Sequence, residues 1–107
     1  MQRFGMVIGI KSDRLDEYKK LHEAVWPEVL DVLRKYHISN YSIFQKDDFL
    51  FGYLEYSGED LAEDFERMGE EAIMKKWYSV CGPCQQPLDS KKDGEWWATM
   101  DQVFCMA

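Results

Sequence analysis

From Leu15 onward, apolar and aromatic side chains recur at Leu15, Tyr18, Leu21, His22, Val25, Trp26, Val29, Leu30, Leu33 and Tyr36. Steps of three and four predict a helix. Pro27 interrupts it, because proline has no N–H to give to the carbonyl four residues back and biases the residue before it towards an extended conformation. The pattern therefore predicts one helix to about Glu23, a bend, and a second helix that opens with Pro27 at its first position and stops near His37. Residues 3–10 (Arg-Phe-Gly-Met-Val-Ile-Gly-Ile) read as a buried strand, with Ser12 or Asp13 available to cap the next element. Residues 39–46 alternate with a period of two, and Phe49 to Tyr56 is a second β-rich run. Only Asp47-Asp48 separates them, the spacing of a hairpin. Ser57-Gly-Glu-Asp60 resembles a capping box opening a helix through Met68. Gly69 punctuates, a further helix runs from about Glu70 to Val80, residues 82–95 read as a long loop, and residues 97–105 read as a final strand.

The resulting order, β-α-β-β-α-β, is the ferredoxin-like split pattern of an α+β fold. It predicts an antiparallel sheet of four strands with helices on one face. The other face must be covered or wet. Paired copies of such a domain bury it sheet against sheet in the dimeric α/β-barrel arrangement, so a homodimer is the expectation by fold analogy. At 107 residues the chain suits one domain spanning 1–107, and 46% hydrophobic content is enough for a core.

Charge and cysteine content narrow the function. A formal net charge of -7 disfavours nucleic acid, which needs clustered Lys and Arg, and disfavours an anionic membrane surface. No apolar run approaches the roughly 18–20 residues of a membrane span, and the N-terminus lacks the pattern of a secretory signal. Cys81, Cys84 and Cys105 are an odd number, which suits a reduced, cytoplasmic protein. Aromatics make up 15% of the chain, more than a small core needs and enough to wall a pocket for a neutral small molecule.

The candidate chemistry centres on His22. Tyr18, His22 and Trp26 stand four residues apart and would line one helix face, although the bend at Pro27 turns Trp26 out of the straight stack. Histidine gives and takes a proton near neutral pH. A core histidine satisfied by a backbone carbonyl fits the same pattern. Its amphipathic aromatic neighbours favour a site over a core that would use Leu, Ile or Val. His37 falls where a helix stops, a position that tolerates positive φ. Cys81-Gly-Pro-Cys84 has the spacing of a thiol redox motif, but it follows a helix instead of opening one, so nothing lowers the thiol pKa. Cys105 and two scattered histidines make no recognisable zinc set. Trp96-Trp97 and Trp77-Tyr78 serve either as packing or as a stacking platform for a sugar ring.

The run Tyr18-x-x-x-His22-x-x-x-Trp26-Pro27-Glu28, the strand start Asn40-Tyr-Ser-Ile-Phe44, Trp77 and the closing Met100-Asp-Gln-Val-Phe104 together resemble the L-rhamnose mutarotase family nearly end to end. The resemblance implies a dimeric ferredoxin-like enzyme that interconverts the α and β anomers of a 6-deoxy sugar without metal or organic cofactor. It implies His22 as the acid–base residue and Tyr18, Tyr41 and Trp77 as sugar contacts. His37 departs from a common glycine, and the Trp96-Trp97 region varies among relatives. The alternatives are an L-fucose mutarotase of the same family, a cofactor-free monooxygenase or haem-binding protein of the dimeric α/β-barrel type, and a metabolite-binding module.

Overall fold

A computed structural model describes residues 1–106 of the chain. Its regular elements are β1 (Gln2–Ile10), α1 (Leu15–Glu23), α2 (Pro27–Lys35), β2 (Ile38–Lys46), β3 (Phe49–Tyr56), α3 (Leu61–Gly69), α4 (Ala72–Cys81), β4 (Gln85–Gln86) and β5 (Ala98–Met100), with single 3₁₀ turns at Ser12–Arg14 and Gly82–Cys84. The sheet is antiparallel and ordered β2-β3-β1-β4, with β5 also paired to β1. This is the ferredoxin-like order, with the last strand divided into two short pieces along one edge of β1.

Alternation along the long strands sets the two faces. Met6, Ile8 and Ile10 of β1 and Leu50, Leu54 and Tyr56 of β3 are buried among Tyr18, Val29, Val32, Met68, Met74, Trp77, Cys81 and Cys84 from the helical side. The opposite face keeps Phe44, Phe49, Phe51 and Met100 exposed. Helix α2 opens with Pro27 at its first position, and Trp26 before it is extended at φ −59°, ψ 131°, as the proline requires. His37, at φ 70°, turns the chain from α2 into β2.

Three boundaries differ from the sequence reading. Asp60, not Ser57, caps α3 by accepting from the Glu63 N–H, while the Ser57 hydroxyl donates to the His37 carbonyl. The region read as a loop over 82–95 contains β4, which pairs with Gly9 and Ile10. The final strand is Ala98–Met100 instead of 97–105, and residues 101–106 run unpaired with Val103 and Phe104 exposed. Two-residue and three-residue strands are too short to show an alternating pattern.

Register is decisive in β2. Ser39 faces Glu55 and Ser42 faces Tyr53, so Asn40 and Tyr41 together oppose the single residue Leu54. Asn40 takes the left-handed conformation at φ 47°, which asparagine tolerates better than most residues. Its side-chain N–H donates to a Glu55 carboxylate oxygen at 2.7 Å. This bulge shifts the phase of the strand by one residue. Tyr41 and Ile43, which strict alternation from Ile38 would send to the open face, turn towards the core.

Candidate active site

Tyr18 and His22 sit one turn apart on α1, and the helix spacing puts their rings together. The centroids lie 4.1 Å apart with planes at 26°. The edge of Trp77, from α4, meets His22 at 5.2 Å and 60°, and Trp26 meets Trp77 at 5.0 Å and 70°. Trp26 does leave the straight helical stack at the bend, yet its ring rejoins the cluster through Trp77. Tyr18 and Trp77 are buried and His22 half-buried. Depressions on either side of Trp26 are lined by Glu17, Lys20, Leu21 and Ala24 on one side and by Ile73, Lys76, Ser79 and Val80 on the other. Neither includes His22.

The imidazole is held in one tautomer. His22 Nδ1 is 2.9 Å from the backbone carbonyl oxygen of Tyr18. A carbonyl can only accept, so Nδ1 carries the hydrogen and Nε2 carries the lone pair in the neutral ring. Burial lowers the His22 pKa below 6.5, and the bond to the Tyr18 carbonyl offsets part of that shift. Both sequence readings of His22 thus describe the same residue: it is satisfied by a backbone carbonyl and it presents a free basic nitrogen.

The phenols behave oppositely. Burial raises the Tyr18 pKa above the usual phenol range, and the neighbouring Cys81 thiol adds to the shift. Burial likewise raises that of Tyr41, with Tyr18 the next cause. Both stay protonated at neutral pH and can serve as hydrogen-bond donors. The bulge at Asn40 brings Tyr41 into this electrostatic neighbourhood, and among the described residues its hydroxyl has no hydrogen-bond partner. Behind Tyr18 lies a side chain the sequence reading did not single out. Gln85 of β4 donates from Nε2 to the Tyr18 hydroxyl oxygen at 3.4 Å and accepts from Trp96 Nε1–H at 2.7 Å. No motif marks a glutamine in a strand of two residues, and only the fold carries it to Tyr18.

The Cys81-Gly-Pro-Cys84 segment has the wrong electrostatics for thiol chemistry. Burial pushes the Cys81 thiol up to about 12 and Cys84 up to about 11, and the Cys84 S–H donates to a Glu17 carboxylate oxygen at 3.1 Å. A reactive thiol needs the reverse shift. Trp97 lies over the sheet at Gly52, where a Cβ would come within 3.4 Å of its ring. Of the tryptophan pair, Trp97 therefore packs and Trp96 binds Gln85.

A half-buried imidazole with one free nitrogen, beside protonated phenols and flat indoles, is an arrangement that can carry acid–base chemistry on a small neutral molecule, set on a ferredoxin-like domain. Residues 3–106 match the family model for L-rhamnose mutarotase. An L-rhamnose mutarotase of Oceanobacillus iheyensis is 38% identical over 85 residues, covering 78% of this chain and 79% of that one. Among solved structures, the L-rhamnose mutarotase FA22100 of Formosa agariphila superposes with a TM-score of 0.76 at 24% identity over the whole of both chains. Tetracenomycin F2 cyclase of Streptomyces glaucescens superposes at 0.72 with 10% identity, covering 100% of this chain and 98% of that one. These two likenesses concern the fold. The chain belongs to the L-rhamnose mutarotase family and is an isomerase of that family.

Proposed function

We propose that the protein interconverts the α and β anomers of L-rhamnose with His22 as general base and Tyr18 as the complementary acid. His22 Nε2 takes the proton of the anomeric hydroxyl while the Tyr18 hydroxyl gives its proton to the ring oxygen. The bond from C1 to the ring oxygen breaks and leaves an open-chain aldehyde. Rotation about the C1–C2 bond presents the other carbonyl face. On reclosure the ring hydroxyl returns its proton to Tyr18 as it attacks C1, and His22 returns its proton to the former carbonyl oxygen. Atoms and protons balance, and the transient imidazolium and phenolate stand side by side, where opposite charges attract. Tyr41 contributes a hydroxyl to the sugar, and Trp77 an apolar wall for the 6-methyl edge.

The observation that carries this reading is the bond from His22 Nδ1 to the Tyr18 carbonyl, which leaves Nε2 basic at neutral pH. A general acid or base contributes about 10²–10⁴-fold, a suitable scale for a reaction that proceeds slowly unaided. Saturation-transfer NMR on L-rhamnose measures anomer exchange directly. The parent should accelerate it, and His22→Ala should lose about 10²–10⁴ of that acceleration. Exchange by His22→Ala at the parent rate overturns the assignment.

Two further expectations belong to this proposal. The exposed sheet face carrying Phe44, Phe51 and Met100 is covered by a second copy, giving a homodimer of domains that each span 1–107. The protein works in the cytoplasm, an expectation supported by its three free cysteines. No helix among the described residues is long and apolar enough to cross a membrane.

A further inference from the structure

Gln85 is 7% exposed and is the only amide or charged side chain buried among the described residues. We propose that Gln85 is a positioning residue for Tyr18, oriented by Trp96, and that this pair directs the Tyr18 hydroxyl proton towards the sugar. The inference rests on the reading of Tyr18 as the acid and adds the device that aims it.

The direction of each hydrogen bond is set by what the groups can do. An indole N–H only donates, so the amide atom 2.7 Å from Trp96 Nε1 is the oxygen. The opposite corner of the amide is then the NH₂, which only donates, and it faces the Tyr18 oxygen at 3.4 Å. The Tyr18 oxygen therefore accepts on this side and meets no acceptor there. Its own hydrogen points away from Gln85, free for the ring oxygen of a bound sugar. With the amide reversed, the carbonyl oxygen would face the phenol and hold its proton inside the protein. Amide orientation decides between a phenol that can donate to substrate and one that cannot, and Trp96 fixes that orientation.

The fold supports the geometry from two sides. The backbone of Gln85 is held where β4 pairs with Ile10, next to the bond from the Lys11 N–H to the Cys84 carbonyl. Trp96 arrives from the far end of the following loop, just before β5 joins β1 at Ala98. The divided final strand thus brings an amide and its indole clamp to the back of Tyr18. Trp96 is 49% exposed, so exchanging it for phenylalanine removes the N–H without opening the core.

The test uses Tyr18→Phe, Trp96→Phe and Gln85→Glu, and both of the latter combined with Tyr18→Phe, by anomer exchange on L-rhamnose at saturating and subsaturating sugar. Gln85→Glu replaces the donor facing Tyr18 with an acceptor. Trp96→Phe should slow exchange at saturation about tenfold or more, with KM little changed. Gln85→Glu should slow it at least as much. Neither should slow the Tyr18→Phe enzyme further, because the proton they aim is already gone. If Tyr18→Phe is slow while Trp96→Phe and Gln85→Glu exchange like the parent, Gln85 does not position Tyr18. Equal losses in both backgrounds overturn the inference too, by assigning the pair to structure alone. If Tyr18→Phe itself matches the parent, the acid reading falls, and this inference with it.

Discussion

The backbone carbonyl of Tyr18 accepts the Nδ1–H of His22 at 2.9 Å, while the Tyr18 ring stacks on the same imidazole at 4.1 Å. One residue thus sets the tautomer of its neighbour through the main chain and sets the ring's plane through the side chain. The relationship needs only a regular helix, since i and i+4 face each other on one side of it.

Because burial lowers the His22 pKa, the pH dependence has a definite sign. With His22 as the proposed base, activity needs the neutral ring, so kcat/KM should fall in acid with an apparent pKa below 6.5 and level off above it. No alkaline limb should appear within the ordinary phenol range, since Tyr18 is shifted upward. Stability depends on the same group. Above 6.5 the ring is neutral folded or unfolded, and it contributes no pH dependence. As pH falls below 6.5 the unfolded chain binds the proton first, so stability drops until the folded-state pKa is passed, and then levels. Melting curves between about pH 5 and 8 should show this fall for the parent and less of it for His22→Gln. A parent acid limb above 6.5 would contradict the depressed pKa.

The open sheet face makes a second prediction. Phe44 is 67% exposed, Phe51 opposite it on β3 is 36% exposed, and Met100 is 39% exposed at the far edge. Exposed apolar side chains gathered on one face suit an interface, and a stable one buries about 1,200–2,000 Å² in total. Sedimentation should find the parent dimeric at micromolar concentration and Phe44→Asp monomeric, with helical circular dichroism retained. A parent that sediments as a monomer removes the paired-sheet arrangement.

The long elements were legible because their patterns are long. β1, α1, α2 and β3 each bury a face at the expected period, and Pro27 marks the break between helices unambiguously. The candidate site was legible only where it lies on such elements: the pairing of Tyr18 with His22 on α1 follows from their spacing. Tyr41 was reached by resemblance alone. Its inward direction depends on Asn40 adopting positive φ and slipping the register, and the run 39–46 carries no glycine to announce a bulge. Gln85 and Trp96 were not legible as partners. Their meeting requires β4 and β5 to dock on the same edge of β1, a tertiary event with no local signal.

The docking of β4 rests on Gly9, which gives the last prediction. A Cβ at Gly9 would lie 2.5 Å from the Gln86 carbonyl oxygen, a backbone atom that cannot swing aside. Gly9→Ala should therefore push β4 off β1, at a cost of about 1–3 kcal/mol from overpacking. For a chain of this size each kcal/mol lowers Tm by about 4–8 °C. Gln85 precedes the displaced residue, so anomer exchange should slow along with the loss of stability. Gly69 supplies the control. It ends α3, and a Cβ there meets nothing within 4 Å, so Gly69→Ala should gain up to about 1 kcal/mol of helix propensity and leave exchange unchanged. Differential scanning calorimetry paired with the NMR assay separates the two. Equal melting of Gly9→Ala and the parent would show that β4 does not approach β1 so closely, and the support for Gln85 beneath Tyr18 would go with it.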